Sequence, residues 1–320
     1  MQQLGFASAF ADPRLGSNKK LEEIASLIDW SALAGLAQRV RPGTEGRPPY
    51  VALSMLKALY LQRLYDLSDP ALEEALRDRL SFRRFCGFAL EDCTPDETTI
   101  LRFRHDAAKT GVLEECFAVL NGQLDAQGLV LRQGTMMDAS IIRAQRNPPP
   151  MSAGRGATHA QEPDAGWTGR GGKTVLGYKA HLGVDQGSGL VRRVVVTSAR
   201  TYESEVADEL ICGDELAVYG DRAYPLKERR ARLKHLGIKD RIMHRADKHH
   251  PRITGWRARW NMLVARRRAP VEAVFSAMKR LYGLARARSP CLAYVAADVF
   301  TFAAIYNLRR AAIIKAARTS

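Results

Sequence analysis

Three carboxylates in this 320-residue chain stand where the local sequence pattern changes. Asp138 lies in the strand-like run Thr135-Met136-Met137-Asp138-Ala139-Ser140-Ile141-Ile142. Asp221 follows a short apolar run and Gly220, and Glu272 is the one acid within residues 266–288. Clustered oxygen donors suit Mg²⁺ or Mn²⁺, hard cations that keep several waters and accept substrate phosphate as a further ligand. Two such ions about 4 Å apart activate a water or a 3′-hydroxyl and stabilise the leaving oxygen of an in-line displacement. Taken singly, each acid has an ordinary structural reading: turn chemistry for Asp221, and dipole chemistry for a Glu near a helix start. Held together without metal, they would repel and shift one another's pKa.

Around Glu272 the residues are cationic. Residues 222–288 hold 20 Lys/Arg against 4 Asp/Glu, a net of +16, whereas the chain as a whole is +15. So localised an excess is the footprint of a phosphate-backbone binder, or else a solvated basic surface. Arg268, Glu272 and Lys279 share a face if one helix runs through them. If Pro270 is instead the first helical residue, Glu272 falls in the first turn and Arg268 just outside. Val271, Val274, Phe275, Met278 and Leu281 form the apolar face. Arg200, Arg222, Lys279, Arg286 and Arg288 are candidate phosphate contacts. Lys179, His181 and Asp185 share a strand face by period two, which either lines the site or is simply exposed. The three Trp of the basic and irregular segments, Trp167, Trp256 and Trp260, either pack or stack on bases.

The positioning elements divide into two regions. Up to about residue 128 the chain reads as helices: short ones in 21–40, a Pro/Gly turn at 41–49, an amphipathic helix over 50–67, then a helix capped by Asp69 with Pro70 at its first position. A capping box at Thr94–Glu97 opens a helix displaying Arg102, Arg104 and His105, and a last helix stops at Gly128. This is a helical bundle or a helix-turn-helix-like DNA reader. From 129 onward the pattern is a strand ending near Asp138, an irregular Pro/Gly-rich insertion at 143–174, a hairpin (175–184 and 190–197), a helix, a short strand at 216–219, and then helices. A mixed sheet flanked by helices follows, an α/β domain at 129–320 after an all-helical domain at 1–128. Five scattered Cys give neither a disulfide framework nor a zinc spacing, and His244, His249 and His250 lack Cys partners. With no signal peptide or membrane-spanning run expected, the cytoplasm is the predicted compartment.

The stretches MDASIIRA, GYKAHLGVDQGSGLVRRVVVTSA, VYGDRAYPLKE and RAPVEAVFSAMKRLYGLARAR resemble DDE transposases of the IS5 insertion-sequence family, within the IS4-like group. The helical stretches YVALSMLKALYLQRLYDLSDPALEEALRDR and TPDETTILRFRH are similar to that family's N-terminal domain. The resemblance implies an RNase H-like fold in which Asp138, Asp221 and Glu272 hold the metals. Arg268, Glu272 and Lys279 match the family's Arg–x3–Glu–x6–Lys spacing, with Ala265 where the wider group has Tyr; Tyr224 and Tyr282 are candidates to replace it. Binding of terminal inverted repeats, strand hydrolysis, transfer of 3′-OH ends to target DNA, and a homodimer or higher assembly on nucleoid DNA are the implied activities. Competing readings are a nuclease or resolvase that cleaves without joining, and a catalytically silent DNA-binding derivative. A Tyr recombinase lacks the Arg/His constellation it would need.

Overall fold

The computed structural model describes residues 14–40, 50–149, 156–170, 173–246 and 252–319. The predicted turn at 41–49, His249 and His250 fall outside them. Two compact units emerge: residues 1–127 with 300–320, and residues 128–299. The sequence pattern alone places 300–320 with the second.

The first unit contains α1 (Lys19–Ser26), α2 (Ser31–Gln38), α3 (Ala52–Leu64), α4 (Asp69–Asp78), α5 (Leu80–Cys86), α6 (Glu97–Lys109) and α7 (Val112–Ala126). Helix α3 is more central than a one-sided stripe predicts. Its residues 54–56 and 58–64 are all buried, Gln62 and Arg63 included.

Two helix starts differ from the sequence reading. Ser68, not Asp69, caps α4, accepting from the Ala71 amide, which frees the Asp69 carboxylate. That carboxylate takes a bidentate contact from Arg104 (2.5 and 2.8 Å) and a hydrogen bond from Gln62 (2.6 Å). Arg104 is therefore a largely buried strut between α4 and α6 rather than a displayed DNA-reading side chain. Asp96 caps α6 by accepting from the Thr99 amide, so Pro95 precedes the helix and no Thr94 capping box forms.

In the second unit, β1 (Thr135–Arg143) is central. It pairs antiparallel with β3 (Lys173–Asp185) and parallel with β5 (Ala217–Gly220), which pairs parallel with β6 (Lys239–Ile242). On its far edge β3 receives β2 (Gly166–Arg170) and β4 (Val191–Ser198). β2 lies inside the stretch expected to be wholly irregular. Between β4 and β5 run α8 (Glu203–Val206) and a 3₁₀ turn, Ala207–Leu210. Later come α9 (Lys227–His235), α10 (Gly255–Arg268) and α11 (Pro270–Arg280); α12 (Leu292–Thr319) begins in this unit and from residue 300 belongs to the first.

One face of the sheet buries Met137 and Val218 with Leu210, Tyr224, Leu233 and Ile242. Two buried carboxylates fasten the connections. Asp185 accepts from the Leu131 and Arg132 amides and from Ser188. Glu162 accepts from the Gln145 and Arg146 amides and the Tyr178 hydroxyl, tying residues 145–146 to β3.

Gly177 of β3 faces Arg143, the last residue of β1, with no room for a side chain. A Cβ there would collide with the Ile142 carbonyl and the Ala144 amide, so only glycine fits. Gly177→Ala is expected to cost about 1–3 kcal/mol, read as a lowered urea midpoint with unchanged slope. A neutral result would mean that the β1–β3 contact is loose.

Candidate active site

The β1–β5 register brings two of the acids level. Thr135 pairs with Val218 and Met136 with Tyr219. Two residues further along each chain stand Asp138 and Asp221. Asp221 follows the end of β5, where ligand sites gather in such sheets, whereas Asp138 lies inside β1, which continues to Arg143 instead of ending near Asp138 as the sequence pattern suggests. The Asp138 carboxylate accepts from its neighbour's amide, Ala139, at 2.9 Å. Asp221 accepts from the Ala223 amide at 2.8 Å, a local Asx turn that holds its side chain at the strand end.

Glu272 arrives from the helical side. Pro270 is the first residue of α11, where its missing N–H costs nothing. Glu272 thus lies in the first turn and Arg268 is the last residue of α10. The single continuous helix does not form. Val271, Val274, Phe275 and Met278 are buried as expected, but Leu281 is 56% exposed because α11 has already ended.

Asp138, Asp221, Glu272, Arg268, Lys179 and Lys279 all line one cleft of about 690 Å³, together with Glu203, Ser140, Thr168 and Ser276. Arg268 reaches Asp138 at 2.6 Å and comes within 4.0 Å of Glu272. Glu272 itself is 71% exposed at its side chain, open to the cleft mouth. Arg222 borders an adjoining recess that shares Asp221 and Arg268. Arg200, Arg286 and Arg288 are not among the described lining residues; Arg286 instead donates to Asn147 at 2.9 Å.

Two families match the chain. Residues 131–308 match the Transposase DDE domain, and residues 10–106 match the Transposase domain (DUF772). The chain belongs to the DDE transposase family. No solved structure matches it. Transposase domains imply DNA as partner, and DDE domains generally use divalent metal ions. No helix among the described residues is long and apolar enough to cross a membrane.

Glu203, the first residue of α8, went unnoticed in the sequence. Its signal there is weak, one acid among several in a short polar run. In the transposase it lines the cleft with its side chain 23% exposed, 3.8 Å from the Lys179 ammonium. Burial and then the nearby Asp221 raise its pKa above the ordinary carboxylate range, while Lys179 opposes them. Asp138 is raised too: burial outweighs the Arg268 guanidinium, and Asp221 adds to the rise. Beneath these acids sits Tyr224. It is fully buried, and its hydroxyl has no hydrogen-bond partner among the described residues. Burial, then Glu203, Asp138 and Asp221, hold that phenol firmly protonated. Tyr224 and the 1%-exposed Tyr282 therefore cannot stack on DNA in place of the residue missing at Ala265.

The donor set is all oxygen and anionic, which fits a hard divalent cation. It is not drawn shut. Among the described residues, the one group of three candidate ligands whose donor atoms lie within 4.8 Å of one another is Cys212, Asp214 and Glu215. That group is a loop staple. Asp214 is held by Arg132 and Arg192, and Glu215 accepts from the Cys212 and Gly213 amides.

The strand face carrying Lys179 is not exposed, as one reading allowed. Lys179, His181 and Asp185 are all buried. Lys179 donates to the Thr201 carbonyl at 2.9 Å while bordering the cleft, Asp185 caps backbone, and His181 hydrogen-bonds Thr197 at 3.0 Å. Burial, with Lys179 beside it, pushes the His181 pKa down to about 4. A depressed His favours the fold while neutral. That stability is complete above the unfolded value of about 6.5 and is lost as pH falls toward 4. Chemical denaturation across this window should show His181→Gln losing less stability on acidification than wild type, by up to about 3 kcal/mol. Parallel pH profiles would contradict the assignment.

Proposed function

We propose that this is an IS5-type transposase whose cleft cuts DNA at the element's terminal inverted repeats and joins the released 3′-OH ends to target DNA. The observation that bears most on this reading is the convergence of Asp138, Asp221 and Glu272 on one cleft bordered by Arg268, Lys179 and Lys279. The strand order β4-β3-β1-β5-β6, three antiparallel strands followed by two parallel ones, supports an RNase H-like fold.

On this reading Asp138, Asp221 and Glu272 hold Mg²⁺ or Mn²⁺, as a pair of ions. When bound, the ions supply activation of the attacking oxygen and stabilisation of the leaving one. The chain's own residues do the rest. Arg268 offsets the charge of the half-buried Asp138 carboxylate, and Lys179 does the same for Glu203. A carboxylate left alone there would suffer uncompensated burial. Lys279 and Arg222 border the cleft and its adjoining recess, where a scissile strand's phosphates would lie. The helical unit serves end recognition, and a dimer or higher assembly on DNA brings two ends together. The protein works in the cytoplasm, at the nucleoid when on DNA.

Asp138→Asn, Asp221→Asn and Glu272→Gln are each expected to reduce Mg²⁺-dependent strand cleavage by more than about 10²-fold, while DNA binding in a gel-shift assay stays near wild type. Cleavage persisting in any of them would remove that acid from the set. Joined product from pre-cleaved ends and a target plasmid separates a transposase from a nuclease that only cuts.

Metal binding has its own readout. Mn²⁺ should raise the unfolding temperature of the wild-type protein, by roughly 2–4 °C for each kcal/mol of binding. Asp138→Asn should abolish the shift. An equal shift in both proteins would place the ion elsewhere.

A further inference from the structure

Helix α10 has two working sides. At about 100° per residue, Ala258, Asn261, Ala265 and Arg268 fall on one side and border the recess that adjoins the acid cleft. Trp260, Leu263 and Arg267 fall on the opposite side. There, with Arg266, Arg241 of β6 and Tyr219 of β5, they line a separate groove of about 840 Å³.

The chemistry of that groove is one-sided. Three guanidinium groups border it, two Gln side chains and Val264 complete its lining, and no carboxylate is among its described lining residues. The Arg241 guanidinium lies 4.8 Å from the centre of the Trp260 ring, which holds charge and aromatic surface together. Leu263 is 56% exposed and Trp256, one turn before Trp260, is 64% exposed. Isolated exposed apolar residues are unremarkable, but these lie along a helix side that also presents Arg267. An apolar protein partner would leave the three guanidiniums unpaired. A second copy of this basic face would be repelled by it. A polyanion satisfies both the charge and the flat aromatic surface.

We propose that this groove holds a second tract of duplex DNA by its phosphates, at the same time as the acid cleft holds the first. The proposal rests on the strand-transfer reading above, because joining one DNA to another requires both to be bound at once. The groove would hold the flank of the DNA that receives the cut end, whose attacked phosphate must itself enter the acid cleft to meet the 3′-OH.

The test uses arbitrary-sequence duplexes of roughly three helical turns, about 30 base pairs, without divalent metal, so that no cleavage is needed. One duplex is biotinylated and held on beads, and the other is fluorescent. Wild-type protein should bridge them. The full-length variant carrying Arg241→Ala, Arg266→Ala and Arg267→Ala should bridge at least about tenfold less, yet be retained on the beads as wild type is. Leu263→Glu, at an exposed position, should do the same and serves as the reference if the triple variant folds poorly. Unchanged bridging in a folded variant would overturn the proposal. So would failure of the wild type to bridge, or a parallel loss of retention on the beads. Failure of strand transfer itself would show separately, as wild-type protein that bridges duplexes but yields no joined product with Mg²⁺.

Discussion

The pairing of β1 with β5 is the constraint on which the site depends. Only two residue pairs are registered along it, yet they set Asp138, inside β1, level with Asp221, the residue just after β5. A slip of one residue would turn Asp138 toward the core face now occupied by Met137. The register is secured from both flanks. On one side β3 runs antiparallel along the whole of β1, with Gly177 leaving room for the backbone at the end of β1. On the other, Met137 and Val218 share a core with Leu210, Leu233 and Ile242. The acids are positioned by apolar burial on the opposite face of their own strands.

A second requirement is electrostatic. Four carboxylates border one cleft, and burial already raises Asp138 and Glu203. The fold tolerates this because each has a cation beside it, Arg268 and Lys179 respectively. Those cations come from elements that meet the acids only through the tertiary fold: the last residue of α10, and the middle of β3. The break at Pro270 matters for the same reason. It ends one helix on Arg268 and begins the next just before Glu272, so that both face the cleft from different helices. Similar logic separates working acids from structural ones. Asp185 and Glu162 are as buried as any group in the protein, but backbone amides satisfy them and they are committed to holding loops.

Much of the architecture was legible because it rests on local signals. The β3–β4 hairpin, the short strand before Asp221 and the α11 apolar face follow from alternation, turn residues and helical spacing. The failures share a cause. Asp69 looks like a helix cap until Arg104, 35 positions away, claims it. β2 looks irregular because Gly166–Arg170 has little strand propensity and exists as a strand through its pairing with β3. Lys179, His181 and Asp185 alternate as an exposed polar face would, and they are buried because each finds a partner from another segment.

By itself the sequence determined the kinds of residue available for chemistry and the elements that bear them. It supplied three acids, two of them at element boundaries, a basic segment around Glu272, and family motifs extensive enough to be recognised along most of the chain. These are properties of composition, period and spacing, which local order along the chain encodes. Only the tertiary structure decided that Arg268 contacts Asp138, that Glu203 joins the acids, that Tyr224 lies beneath them, and that α10 has a basic groove on its other side. Each of those is a contact or a solvent boundary between segments far apart in sequence, settled by how the helices pack on the sheet.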